Sequence, residues 1–163
     1  MTLGLSLSTF TTLHVIISLI AILAGLVVMV GMLTDRSQPG WVALFLLTTI
    51  LTSVTGFMFP FDKFLPSHWI GLISLVVLAL ALLALYAFHL AGSWRWIYVV
   101  TALAALYFNV FVLVAQGFQK VGALKTLAPQ GSEPPFLIAE AVVLALFIWL
   151  GVAAVRRFHP KAA

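Results

Sequence analysis

Two histidines, an asparagine, a glutamine and a glutamate stand inside long apolar runs of this chain: His14, His68, Asn109, Gln116 and Glu140. Hydrocarbon offers such groups no hydrogen-bond partner, so each must find one in the protein or in a ligand. Three chemistries suit these residue types. His14 and His68 could be the axial ligands of one b-type haem, with Lys63, Lys120 and Lys125 placed to meet its propionates. His14, Glu140 and a hydroxyl such as that of Tyr107 could instead hold a quinone headgroup and exchange protons with it. His14, His68 and Glu140 also carry the donor types of a zinc, copper or iron site, although no diagnostic spacing joins them.

The elements that must position these groups are membrane spans. Of the 163 residues, 64% are hydrophobic and only 7% charged, and the mean hydropathy is +1.22. Apolar runs cover residues 10–33, 41–59, 67–90, 94–118 and 136–158. Each is close to the roughly 20 residues an α-helix needs to cross a hydrocarbon core. The sequence therefore predicts an all-α polytopic membrane protein, a single domain over residues 1–163 built as a five-helix bundle. The connectors leave no room for a soluble catalytic domain, and no motif assigns an enzymatic reaction. The absence of cysteine excludes disulfides, thiolate metal sites, iron–sulfur clusters and covalent c-type haem. The net charge of +4 comes from scattered Lys and Arg residues, with no cluster able to track nucleic acid. Arg156, Arg157, His159 and Lys161 look instead like an anchor to lipid headgroups.

Five spans put the termini on opposite sides. Counting Arg36, Arg95, Arg156, Arg157 and Lys161 against Lys63, Lys120 and Lys125 favours the N-terminus outside and the C-terminus in the cytoplasm. The segment before the first run carries no positive side chain, so the run reads as a retained span, not a cleaved signal. Turn chemistry agrees with the boundaries: Ser37-Gln38-Pro39-Gly40, Phe59-Pro60, Pro66-Ser67 and Gly92-Ser93. Ser93 and Ser132 are candidate N-caps. The connector 119–135 lies outside, and its Val121, Leu124 and Leu127 predict a short amphipathic surface helix. Thr48, Thr49, Thr52, Ser53, Thr55 and Gly56, with Ala21 and Gly25 and with Gly71 and Ser74, mark faces for close helix packing.

This topology brings His14, His68, Gln116 and Glu140 to the outer half, with Asn109 two turns deeper on the stripe of Gln116. A purely structural account is also open for each. His68 and Gln116 could be wet, His14 could bond a backbone carbonyl, Asn109 could join two helices, and Glu140 could be neutral or pair with Lys120.

Thr55-Gly56, Ser67-His68-Trp69-Ile70-Gly71, and His89 ahead of Ser93-Trp94-Arg95-Trp96 together resemble part of the small bacterial membrane b-type cytochromes. In that family a Thr-Gly ends one helix, a histidine opens the next, and a second histidine further along serves another haem. Here His68 and His89 are 21 residues apart, roughly 31 Å along a helix, too far for stacked haems. The resemblance thus implies at most one outer haem. The segment 109–116, with Lys125-Thr126-Leu127-Ala128-Pro129 and Ser132-Glu133-Pro134-Pro135-Phe136, also resembles bacterial integral membrane proteins of unassigned function, which implies a bacterial inner membrane.

The expected function is a redox role with haem or quinone bound at the outer face, among membrane lipids. The rival is a non-catalytic accessory or assembly subunit, packed in a larger membrane complex or on a second copy of itself. A proton-coupled carrier would need a polar path across the bilayer, and the inner half offers only His89.

Overall fold

A computed structural model describes residues 3–161; Met1, Thr2, Ala162 and Ala163 fall outside the described residues. The elements of the described chain are all helices, with no strand among them. It runs α1 (Leu7–Leu33), α2 (Pro39–Gly56), α3 (Pro66–Leu82), a π turn (Leu83–Ala87), α4 (Trp94–Lys120), α5 (Gly122–Leu127) and α6 (Pro134–Arg157). Five helices are long and apolar enough to span a membrane, α3 with its π turn counting as one. The chain is thus a multi-pass membrane protein.

Helix starts follow local chemistry. The Ser6 hydroxyl caps α1 by accepting from the Thr9 N–H at 3.2 Å. Proline opens α2, α3 and α6, where its missing N–H would have no helical partner. Two expected caps are not made. Ser93 is at the N-cap position of α4 but has helical torsions and no side-chain cap bond. Ser132 lies one residue short of α6, whose N-cap is Glu133.

Helix ends also depart from the hydropathy pattern. Helix α2 stops at Gly56, not Phe59, because the N–H groups of Phe57 and Met58 reach back only three residues, to Val54 and Thr55. Pro60 then bars Phe59 from continuing the helix. At the other end of α3, the N–H groups of Phe88 and Leu90 bond the carbonyls of Leu83 and Ala84, each at 2.9 Å. His89 and Leu90 take left-handed torsions, φ 47° and 59°, to make that turn. The Phe88 and Trp94 rings stack across it, 4.1 Å apart.

Helix α4 is the hub, in contact with every other span. Its Val99, Ala102, Ala105 and Leu106 meet Ala24 and Val28 of α1, Phe45 and Leu46 of α2, and Leu78 and Ala81 of α3 in one buried core. Gly25 shows why small residues are needed there. A Cβ on it would lie 2.5 Å from Leu106 Cδ1 and 2.9 Å from the Phe45 ring. Helix α6 is the opposite case. Only 6% of its most apolar window is buried, against 44% for α1 and for α4. Its apolar surface therefore faces lipid or a partner.

Two contacts tie the end of α6 to the bundle. The Arg95 guanidinium donates to the Val155 and Phe158 carbonyls at 2.8 and 2.7 Å, which helix termination leaves without N–H partners. The Asp35 carboxylate accepts from the His159 backbone N–H at 2.7 Å. The connector before α6 contains the expected short surface helix, α5, whose Leu124 leans toward Gly117 of α4.

Candidate functional site

The polar residues of the apolar runs divide among separate environments. His14, half-buried on α1, meets Thr55 of α2, with Nδ1 and Oγ1 2.7 Å apart. The single hydroxyl proton of Thr55 goes to the Leu51 carbonyl at 2.6 Å, so Oγ1 accepts the Nδ1–H of His14. In the neutral ring that leaves Nε2 unprotonated, and the imidazole lies beside the edge-on Phe59 ring at 5.2 Å. Lys120 at the end of α4 is within electrostatic reach of the imidazole.

His68 has another task. Its Nδ1 accepts the N–H of Leu65, the N-cap residue of α3, at 2.9 Å. The ring is buried in an aromatic box of Phe57, Phe61 and Phe64, with centroids 5.6, 4.2 and 5.0 Å away. As capped, His68 presents an N–H at Nε2, not a lone pair. Metal or haem ligation would require it to break the helix cap. Among the described residues, His14 and His68 neither bond nor stack with each other, and no group of three or more His, Cys, Asp or Glu residues converges as a metal site would require. A two-histidine haem therefore does not fit these side chains as they are placed.

Asn109 is buried on α4 and donates from Nδ2 to Thr49 Oγ1 of α2 at 3.3 Å. It joins two helices, as interhelical amides do in lipid. The other threonines of α2 bond their own helix: Thr48 and Thr52 donate to the Leu44 and Thr48 carbonyls at 2.6 and 2.8 Å. Gln116 is exposed, one turn from the end of α4. His89 is exposed at the opposite face, beyond the π turn.

Glu140 remains. It lies on α6, about 9 Å below the helix start at Pro134, and is 8% exposed. Both carboxyl oxygens are buried with no hydrogen-bond partner, Lys120 included. Tyr107, on the facing stretch of α4, is within electrostatic reach of the carboxyl and rests its ring on Phe147 at 5.6 Å. Gln38 Oε1 and Ser74 Oγ are also buried and unpaired, but neither carries a titratable group. The sequence did not show that the Thr49 and Thr55 hydroxyls would be hydrogen-bond partners, although both stand among the small and hydroxyl residues that mark the packing face of α2. It also missed the Arg95 clamp, for which an arginine next to a helix start is no signal.

No protein-family model, curated protein or solved structure matches the chain. The multi-pass helical architecture and the geometry of its buried polar groups are therefore the ground for any functional reading.

Proposed function

We propose that this chain is a quinone-binding subunit of a bacterial inner-membrane redox assembly, oriented with its N-terminus outside, in which the Glu140 carboxyl hydrogen-bonds the ligand headgroup. The observation that carries the reading is the Glu140 carboxyl, buried in a membrane helix with both oxygens unpaired. A buried carboxyl without a partner is costly to keep for packing alone. A quinone carbonyl accepts from the acid form, and a quinol hydroxyl donates to the carboxylate, so one group serves both oxidation states. Haem is the weaker ligand here, since His68 is engaged as the α3 cap.

Purified protein in bicelles would be titrated with a short-tailed benzoquinone or naphthoquinone, following quenching of the tryptophans. Saturable binding is expected, weakened about tenfold or more in Glu140→Leu, the loss of one hydrogen bond to an ionisable group. Absence of saturable binding, together with solvent extracts free of quinone, would sink the reading. A Soret band in the purified protein would restore the haem.

A second reading has its own observation. His14, His68 and Asn109 are each satisfied within the bundle, while α6 shows lipid or a partner an almost unburied apolar surface. Those features suit a non-catalytic accessory subunit. It is favoured if the protein co-purifies stoichiometrically with a larger complex whose activity is indifferent to Glu140→Leu.

A further inference from the structure

Between α4 and α6 a groove of about 400 Å³ opens toward the membrane. Its floor and walls are apolar from Leu144 and Phe147 through Gly151 to Val155, facing Val100 and Leu103 of α4. One end lies at Tyr107, in mid-bundle; the other ends at Arg156, at the C-terminal face. Leu144 to Arg156 spans roughly 18 Å of helix, close to the ~15 Å thickness of a single leaflet's hydrocarbon. The basic group at the mouth is exposed. Arg95, by contrast, is turned onto the Val155 and Phe158 carbonyls, which leaves Arg156 as the groove's own cation.

We infer that this groove holds one acyl chain of an anionic phospholipid from the leaflet at the C-terminal face, its phosphate paired with Arg156. Three features point to this occupant: a one-leaflet length, an apolar lining along that length, and a guanidinium where the headgroup of that leaflet lies. Guanidinium and phosphate match in charge and in bidentate geometry. The groove has room at Gly151, since a Cβ there would meet nothing nearer than Leu103 Cδ1 at 4.0 Å. A large side chain at that position would extend into the chain's path without displacing the α4 backbone. The inference does not rest on a ligand at Glu140, which does not line the groove, although Tyr107 borders both.

The full chain would be reconstituted in nanodiscs with equal amounts of phosphatidylglycerol and phosphatidylcholine of matched acyl chains, and the retained lipid weighed by native mass spectrometry. The phosphatidylglycerol adduct should exceed the phosphatidylcholine adduct about fivefold, the preference one basic side chain confers near an anionic headgroup. Arg156→Gln should bring the two adducts to parity, whereas Arg157→Gln should leave the preference intact. Gly151→Leu should reduce retention of both lipids while the melting temperature holds. Equal adducts in the wild-type protein overturn the proposal. So does an equal loss in Arg157→Gln, which would mark a diffuse basic surface, and so does a dimer in which a second copy covers the groove.

Discussion

At the scale of single residues, hydrogen-bond bookkeeping separates polar groups with partners from the titratable one left without any. His14 gives its Nδ1–H to Thr55, His68 receives the Leu65 N–H, and Asn109 holds Thr49. Each removes an orphan group that lipid would penalise. Glu140 has no such return, since neither carboxyl oxygen is bonded. Replacing an unpaired buried carboxyl by an apolar side chain of similar size is expected to stabilise a fold. Glu140→Leu should therefore raise the thermal midpoint by a few degrees, an increase of about 1 kcal/mol, even as it weakens quinone binding. A fall in the midpoint would instead mark Glu140 as a packing residue. The residue types in the apolar runs were legible in the sequence. Their partners were not, because hydrogen bonds between His14 and Thr55 or Asn109 and Thr49 join positions 41 and 60 residues apart.

At the scale of elements, the ends of the helices are decided by local bonds that hydropathy does not record. Residues 88–90 are apolar or aromatic except for His89, yet the span ends in a π turn before them and His89 and Leu90 take left-handed torsions. The loop into α6 is closed by Glu133, whose carboxylate accepts from the N–H groups of Gln130 and Ser132 at 2.9 and 3.0 Å. These bonds, the Gln130 one foremost, hold its carboxyl below the usual range. A depressed folded value means the loop's stabilisation is complete above the ordinary carboxylate pKa and is lost as pH falls through the folded one. Amide exchange at Gln130 and Ser132, corrected for intrinsic rate, should be equally slow across neutral pH and lose its protection only as pH falls below the ordinary carboxylate range. Glu133→Gln should lack that transition. Unchanged protection at low pH would show that the loop is closed by other contacts.

At the scale of the whole molecule, α4 organises the bundle and Gly25 sets how near α1 can come to it. Gly25→Ile would drive a branched side chain into Leu106 and Phe45, for an overpacking penalty of about 1–3 kcal/mol. A reduced thermal midpoint in detergent is the expected result, with Gly40→Ile as a control, since a Cβ on Gly40 meets nothing within 4 Å. Equal effects in both would show that α1 and α4 do not meet at Gly25. The five spans, the turn segments between them and the short helix after α4 were determined by the sequence alone, because the length of an apolar run and its proline and glycine punctuation act locally. The sequence also determined which polar groups would need partners in lipid. Only the tertiary structure decided that those groups do not form one cluster. Antiparallel and parallel spans can bring residues to the same depth, but the rotation of each helix about its axis chooses which neighbour a side chain meets. That rotation is set by packing, by Gly25 against Leu106 and Phe45 and by α4 against every other span. It turned His14 and Asn109 toward α2 and left Glu140 buried without a partner, while a local bond tied His68 to its own helix start.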